Sequence, residues 1–482
     1  MAPRSCLIGA EWVGADSGET IEVRDPATDE LVASVPGCAA AETRRAIDAA
    51  AKALPKWRSR TAQERTRPLR RLYELMMRDR ERLALLMTRE QGKPLAEARG
   101  EIAYAASFIE WAAEEAKRIY GLTVPASSPD KRILVLRQPV GVCAAITPWN
   151  FPAAMITRKL GPALAAGCAM VVKPAEQTPL SALALGELAL EAEFPPGVVN
   201  IVTGDAKAIA GAFFDDPRVR KLSFTGSTEV GRSLMKSASD HVMRLSLELG
   251  GHAPLIVFDD ADLEAAAAGA VANKMRNMGQ TCICANRILV QRGVYDEFVG
   301  LMQRRMERMK VGAGSEQGVE VGPLIDDDAV EKVKAHVADA LDKGATVRTG
   351  GGLVKPHKGL ANRFYAPTII EGITSDMRIW REETFGPVAP VRAFDTEDEA
   401  IKLANDSIYG LAAYFYTRDA SRLMRVAEAL EYGVIGANDA APSTAQAPFG
   451  GVKQSGVGRE GGRWGVEEYT ELKFVSWGGV SK

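Results

Sequence analysis

The chain is predicted to be an α/β protein, with a doubly wound parallel sheet followed by a second alternating strand–helix series, and three observations carry the prediction. Its 482 residues exceed what one compact core organises and suit two packed domains. From residue 150 onward, short and almost continuously apolar runs alternate with helical stretches, the pattern of strands buried on both faces by helices. Gly250 and Gly251 interrupt two such series and mark a close turn between them.

Taken in order, residues 41–118 repeat Ala, Leu and Met at three and four with charges between, which predicts helices. The arginines of 65–71 fall on a solvated helix face, since Glu and Asp follow closely. Residues 133–136 and 141–146 read as strands separated by Gln138 and Pro139. A strand at 169–172, a helix at 179–190, and strands at 198–202 and 219–224 follow. A helix at 227–237 and a strand at 243–247 complete the first series. That alternation is the arrangement that binds dinucleotides. The second series has strands at 255–258, 287–290, 366–370 and 388–394, with helices at 262–278 and 294–310. The final segment, 471–477, reads as a strand with nothing after it to cover its edge, which pairing with another subunit would supply.

Composition excludes several classes. With 46% hydrophobic and 25% charged residues and a formal charge of −2, the chain reads as an ordinary globular protein. It has no electrostatic footprint for nucleic acid or an anionic membrane. The opening MAPRSCLIGAEW lacks a signal-peptide core, and no stretch of 18 apolar residues exists. The Ala-rich stretch 261–272 is short and flanked by Asp262, Glu264 and Lys274, so it reads as a buried helix. Six cysteines in a chain this long are no disulfide framework, so a cytoplasmic setting is expected. Four scattered histidines offer no zinc-ligand spacing, so no metal is expected, and they argue against a Cys–His or Ser–His–Asp hydrolase.

Four local signals point to chemistry, each with a bland alternative beside it. Cys282 in MGQTCICAN (278–286) sits at a Gly-rich turn, opening onto a helix or a tight loop, where backbone N–H groups can steady a thiolate. An inert buried cysteine is the alternative. Glu248 in LELGG ends a predicted strand between leucines, where burial raises its pKa toward that of a general base working near neutrality. Pairing with a neighbouring Arg or Lys is the alternative. Asn150 in TPWNFP lies between two prolines that make its amide a rigid donor for an oxyanion, or else simply a turn former. In FTGSTEVG (224–231), Gly226 permits close backbone approach, and Ser227 with the first helical N–H groups can face a phosphate. Its Gly-x4-Gly spacing departs from the dinucleotide fingerprint and is a modest signal alone.

Seven motifs in one order change the weight of these signals: PWNFP, KPAEQTP, FTGSTEVGR, LELGG, GQTC, EETFGP and PFGGVKQSGVGRE, spread over residues 148–460. Together they resemble the aldehyde dehydrogenase superfamily over nearly the whole chain, and within it most closely the succinate-semialdehyde dehydrogenases. The resemblance implies a Rossmann-type cofactor domain (1–120, 139–250 and 442–468), an α/β catalytic domain (251–441) and a small oligomerisation hairpin with the last strand (121–138 and 469–482). It implies Cys282 as nucleophile, Glu248 as base, and an oxyanion hole of the Asn150 amide and the Cys282 backbone N–H. Trp149, Asn150, Gly226, Ser227 and Leu249 are implied beside the cofactor. Lys173 and Glu176 fall on its adenosine ribose, Glu383 on the nicotinamide ribose and Phe385 beside the nicotinamide.

Glu176 favours NAD, because a carboxylate accepting from both ribose hydroxyls repels a 2′-phosphate. Relatives that use NADP often carry a small residue there, while Lys173 pulls toward a phosphate. Arg158, eight residues after Asn150, and Arg276, six before Cys282, match arginines that bind a distal carboxylate, with Ser443 assisting. Structural salt bridges are the alternative. The implied substrate is succinate semialdehyde. The unusual DAAPSTAQ at 439–446, with Pro442, reshapes the expected mouth of the site and makes glutarate semialdehyde the competitor. Cys284 resembles a second cysteine that switches activity by reversible oxidation, with an inert small residue as the alternative. A homodimer or homotetramer is implied. Two rival classes are a catalytically silent protein on the same fold, opposed by the Cys282, Glu248 and Asn150 set, and an enzyme that passes its thioester to coenzyme A, opposed by Glu248.

Overall fold

The computed structural model describes residues 5–480. Residues 1–4, which open both the stretch read as lacking a signal peptide and the 1–120 span, lie outside the described residues, as do 481–482 at the end of the 469–482 span.

An eight-stranded sheet runs in the order Glu11–Val13, Cys6–Ile8, Val199–Ile201, Ala169–Lys173, Val142–Ile146, Val219–Thr225, Arg244–Glu248, Gly456–Val457. Its five central members are parallel. Successive side chains of a strand point to opposite faces, and both faces here are apolar. Cys143, Ala145, Met170 and Val172 pack with Leu160 and Leu183 of the helices Ala154–Ala166 and Pro179–Glu191. Val142, Ala144, Ala169 and Val171 pack with Ala46 and Ile47 of Ala40–Arg58. That double burial explains why these strands read as unbroken apolar runs.

The second sheet has seven strands: Thr346–Thr349, Thr368–Glu371, Val388–Phe394, Ala285–Gln291, Ala253–Val257, Ala412–Tyr416, Val434–Ala437. It repeats the two-faced logic, with Leu255, Val257, Ile288 and Val290 in one core and Ile256, Leu289 and Val388 in the other. The chain passes between the sheets through Gly250 and Gly251. Gly251 has no substitute there, because a Cβ would lie 2.1 Å from the Cys282 carbonyl oxygen.

Several element ends differ from the sequence expectation. The helix expected at 262–278 stops at Met275, after its Asp262 cap, because Asn277 and Met278 take left-handed backbone (φ 50° and 57°) and turn the chain toward Cys282. The helix expected at 294–310 spans Tyr295–Met306. The final strand, Thr470–Trp477, is not left wholly uncovered. It pairs over its whole length with Arg132–Pro139 of its own chain, which pairs in turn with Leu122–Val124. One edge of Thr470–Trp477 stays open, and Leu472, Phe474 and Trp477 on that strand are exposed. Among the described residues no helix is long and apolar enough to cross a membrane.

Candidate active site

A cavity of about 330 Å³ opens where the two sheets meet, beyond the carboxyl ends of Val142–Ile146, Val219–Thr225 and Arg244–Glu248. Open α/β sheets bind ligands at such ends. Trp149, Asn150, Gly226, Ser227, Leu249, Cys282, Glu383 and Phe385 line it, so five distant segments converge on one space. Ser227 caps the helix Thr228–Ser239 through Oγ, which accepts from the Val230 N–H at 3.3 Å, and the helix opens toward the cavity. A helix N-terminus suits a phosphate. Trp149 and Phe385 meet edge to face, with centroids 5.6 Å apart. Phe385 is held at φ 58°, a strained setting for an aromatic residue that turns its ring to this wall. The loop carrying Glu383 and Phe385 lies against the nucleophile loop, since a Cβ on Gly279 would sit 2.1 Å from the Gly386 oxygen.

Glu383 Oε1 accepts from the Gly251 N–H at 3.1 Å. Burial lifts its pKa to about 7, against that N–H and the nearby Lys332 and Lys274 charges. Lys332, from the helix Asp327–Asp342, also lines the cavity, as do Asp326, Asp328 and Thr384. Lys332, Asp326 and Asp328 went unnoticed in the sequence because DDDAVEKVK reads as a charged solvated face. Only the approach of that helix to the sheet ends gives them a ligand to meet.

The Cys282 thiol is pushed up to about 12, first by burial and then by the Glu383 charge, with Arg158 opposing. The loop it sits on leads into a strand rather than a helix. Of the two settings expected for Cys282, a helix or a tight loop, the structure shows the loop. The Glu248 carboxyl is buried and held well above the usual range, by burial first and Glu460 second, with Arg158 and Lys159 opposing. It is not among the side chains that line the cavity, and its Oε2 has no hydrogen-bond partner among the described residues. Asn150 has its amide orientation set from both sides. Its Oδ1 accepts from the Phe151 N–H at 3.1 Å, and its Nδ2 donates to the Gln280 carbonyl at 3.1 Å. The second Nδ2 proton is left for the cavity that Asn150 shares with Cys282.

The remaining sequence-derived residues lie around this core. Lys173 ends its strand and pairs with Glu176, whose side chain is 40% exposed. Arg158 is buried and lies behind the wall rather than in an open entrance. Its Nε is 3.0 Å from Glu460 Oε2, and its guanidinium stacks between Phe449 (4.3 Å) and Phe108 (4.8 Å). Its Nη2 donates to the Tyr104 hydroxyl at 3.3 Å. The same hydroxyl is 2.6 Å from Ser443 Oγ, so Tyr104 links two of the expected substrate residues. Arg276 stacks on Phe151 at 4.9 Å. Cys284 is buried, its Sγ directed at the Lys274 carbonyl at 3.7 Å. Lys159 and Glu460, also unforeseen, meet at 2.5 Å beneath Thr225.

A cavity at the carboxyl ends of parallel strands, lined by a cysteine and an amide donor, is the kind of site at which an α/β oxidoreductase binds a dinucleotide. The family follows from comparison: the chain belongs to the aldehyde dehydrogenase family, whose profile matches residues 12–475. It is 58% identical to the glutarate-semialdehyde dehydrogenase of Pseudomonas aeruginosa, over 99% of this chain and 98% of that protein. It is 57% identical to the NADP(+) succinate-semialdehyde dehydrogenase of Escherichia coli, over 98% of each. The crystal structure of succinate-semialdehyde dehydrogenase from Burkholderia pseudomallei superposes with a TM-score of 0.97 at 55% identity, covering 99% of this chain and 98% of that one. Membership makes the chain an aldehyde-oxidising enzyme that works with a nicotinamide dinucleotide.

Proposed function

We propose that the chain oxidises a short aldehyde carrying a distal carboxylate, succinate semialdehyde to succinate, with NAD as acceptor. The observation that carries the substrate class is the state of Arg158. Its guanidinium is buried between two aromatic faces, and its contact with Glu460 is an ion pair without hydrogen-bond geometry, since both Nε and Glu460 Oε2 lack a partner. Its other contacts are a tyrosine hydroxyl and a thioether, both weak acceptors. A buried guanidinium short of acceptors suits a carboxylate with two oxygens to offer.

In the proposed reaction the Cys282 sulfur, once deprotonated, adds to the aldehyde carbon, and the resulting oxyanion is held by the Asn150 amide and the Cys282 N–H. A dinucleotide held here would supply the hydride acceptor, with Trp149, Leu249, Glu383, Phe385 and Lys332 as the residues to hold its nicotinamide half and Lys173 and Glu176 its adenosine half. Loss of hydride converts the adduct to a thioester. Glu248 then takes a proton from water, whose oxygen attacks the thioester carbon and releases the carboxylic acid and the thiol. The first sheet (1–120, 139–250, 442–468) is the dinucleotide unit in this reading and 251–441 the catalytic unit. Segments 121–138 and 469–482 join a cytoplasmic homodimer or homotetramer, which light scattering tests.

Glutarate semialdehyde is the second reading, favoured by the relative of that name at 58% identity and by Pro442 in the loop that carries Ser443. On the cofactor, the Lys173–Glu176 pair softens the repulsion Glu176 would exert on a 2′-phosphate, which supports NADP as the alternative, as does the E. coli relative's name. One panel tests all of this: succinate semialdehyde, glutarate semialdehyde and butanal, each with NAD and NADP, on wild type and Arg158→Lys. The lysine keeps the charge and loses the planar fork. KM for the semialdehydes should rise at least about tenfold, the size of one lost charged contact, with butanal nearly unaffected. Butanal as the best substrate, with an equal response to Arg158→Lys, would end the carboxylate reading.

A further inference from the structure

We propose that Lys93, Glu101 and Asn277 form a buried clamp that fixes the Asn150 amide relative to Cys282, acting as positioning residues for the oxyanion. The proposal rests on the reading of Asn150 as an oxyanion donor.

Lys93 is fully buried in the turn between Arg80–Gln91 and Leu95–Glu115. Its ammonium donates to Glu101 Oε2 at 2.5 Å and to the Asn150 carbonyl at 2.8 Å, and lies 4.1 Å from the centre of the Phe151 ring. The other Glu101 oxygen accepts from the N–H groups of Ala153 (3.0 Å) and Ala154 (3.2 Å), where the helix Ala154–Ala166 begins. One ion pair thus grips the Asn150 loop at its carbonyl and at its exit.

The nucleophile loop grips the same carbonyl from the other side. Asn277 Nδ2 donates to the Asn150 and Gln280 carbonyls, at 3.1 Å each. Its Oδ1 accepts from Gln91 Nε2 at 3.0 Å, and its N–H donates to Glu97 Oε2 at 2.8 Å. The Gln280 carbonyl, two residues before Cys282, also accepts from the Asn150 amide itself. Asn277 does this from a left-handed backbone (φ 50°), a setting that persists where the surroundings over-determine it.

Burying an ammonium and a carboxylate costs stability that apolar residues of equal volume would not. Here the polar contacts of the pair, apart from the one between its members, end on backbone atoms of the Asn150 loop. Packing alone would not require that convergence. An oxyanion donor works only where its proton meets the developing charge, and a displacement of about 1 Å can cost about a hundredfold.

The test is a double-mutant cycle on the first-turnover burst of reduced dinucleotide, at saturating aldehyde and coenzyme, in the full-length enzyme. Asn150→Ala alone should lose about 10²–10³. Lys93→Met should lose about tenfold or more with KM for the aldehyde little changed, and the double variant should be no slower than Asn150→Ala. Because Lys93→Met strands Glu101 and can impair folding, Asn277→Gly is the second variant. It leaves the ion pair intact and suits the left-handed backbone, and it should show the same lack of additivity. Iodoacetamide should alkylate Cys282 at the wild-type rate in both. Losses that multiply in the double variants, an unchanged burst in the single ones, or an alkylation rate that falls with the burst would each overturn the clamp. A silent Asn150→Ala would instead sink the oxyanion reading, and the clamp with it.

Discussion

Two glutamates, Glu90 and Glu248, are both buried, and they sit in opposite situations. Glu90 spends both oxygens on the start of the helix Pro179–Glu191, accepting from the Leu180 and Ser181 N–H groups at 2.8 Å each. Burial lifts its pKa to about 7, opposed by the Ser181 side chain and then by those two N–H groups. Glu248 is also raised well above the usual carboxylate range, by burial first and Glu460 second, but its Oε2 meets no donor among the described residues. Burial alone therefore does not mark a base. What separates the two is whether the lone pairs are already used: a saturated carboxylate holds the fold, and an unsaturated one is free to take a proton from water.

The sharpest way to break that contrast is Glu248→Gln. Turnover should fall about 10²–10⁴-fold, the usual worth of a positioned base, while stability stays level or rises. The acyl-enzyme should accumulate and be visible by intact-protein mass spectrometry. Normal turnover in this variant would show that the free oxygen has no catalytic use.

The next effect concerns the Cys282 thiol. With Cys282 pushed up to about 12 in the free protein, its alkylation rate should climb about tenfold per pH unit and keep climbing past the ordinary thiol value of about 8.5. A plateau below that value would mean the site already stores a thiolate.

Glu90→Gln probes the other half of the comparison. Stability should drop by about 1–3 kcal/mol, since one of two buried N–H donors loses its acceptor, with activity per folded molecule unchanged. The sign of the pH effect follows from a folded pKa near 7 against an unfolded value of 4.5. The raised group's contribution is complete below 4.5 and is lost as pH climbs through 7. The denaturant midpoint of wild type should fall across that window, and Glu90→Gln should flatten the slope.

The smallest expected effect is at Cys284. After mild peroxide treatment and then a thiol reductant, wild type should recover more activity than Cys284→Ala if this buried thiol reaches Cys282. Equal recovery would leave it a packing residue held at the Lys274 carbonyl.

Much of the site was legible because catalytic loops carry distinctive local sequence. PWNFP, FTGS, LELGG, GQTC and EETFGP each combine a chemical side chain with glycines or prolines that shape a turn, and each ends at the same cavity. Lys332, Lys159 and Tyr104 lie inside helices rather than at such a turn, whereas Lys93, between Gly92 and Pro94, and Glu460, before Gly461 and Gly462, have the punctuation but no partner nearby in the sequence. They sit in helices or loops whose charged residues look solvated, and they become functional candidates only when the packing of distant elements removes the water. Glu90 was silent for the same reason, since its partners lie ninety residues away.

By itself, the sequence pointed to the strand and helix alternation from residue 150 onward, the apolar strands covered on both faces, the glycine crossing between the two series, and Cys282, Glu248 and Asn150 as candidates. These are local matters of side-chain alternation, turn chemistry and residue type. Tertiary structure alone decided which charges are buried, which of those are saturated, and how the Asn150 and Cys282 loops are tied to each other. Desolvation and hydrogen-bond satisfaction depend on neighbours far away in the chain, and those neighbours exist only once the chain has folded.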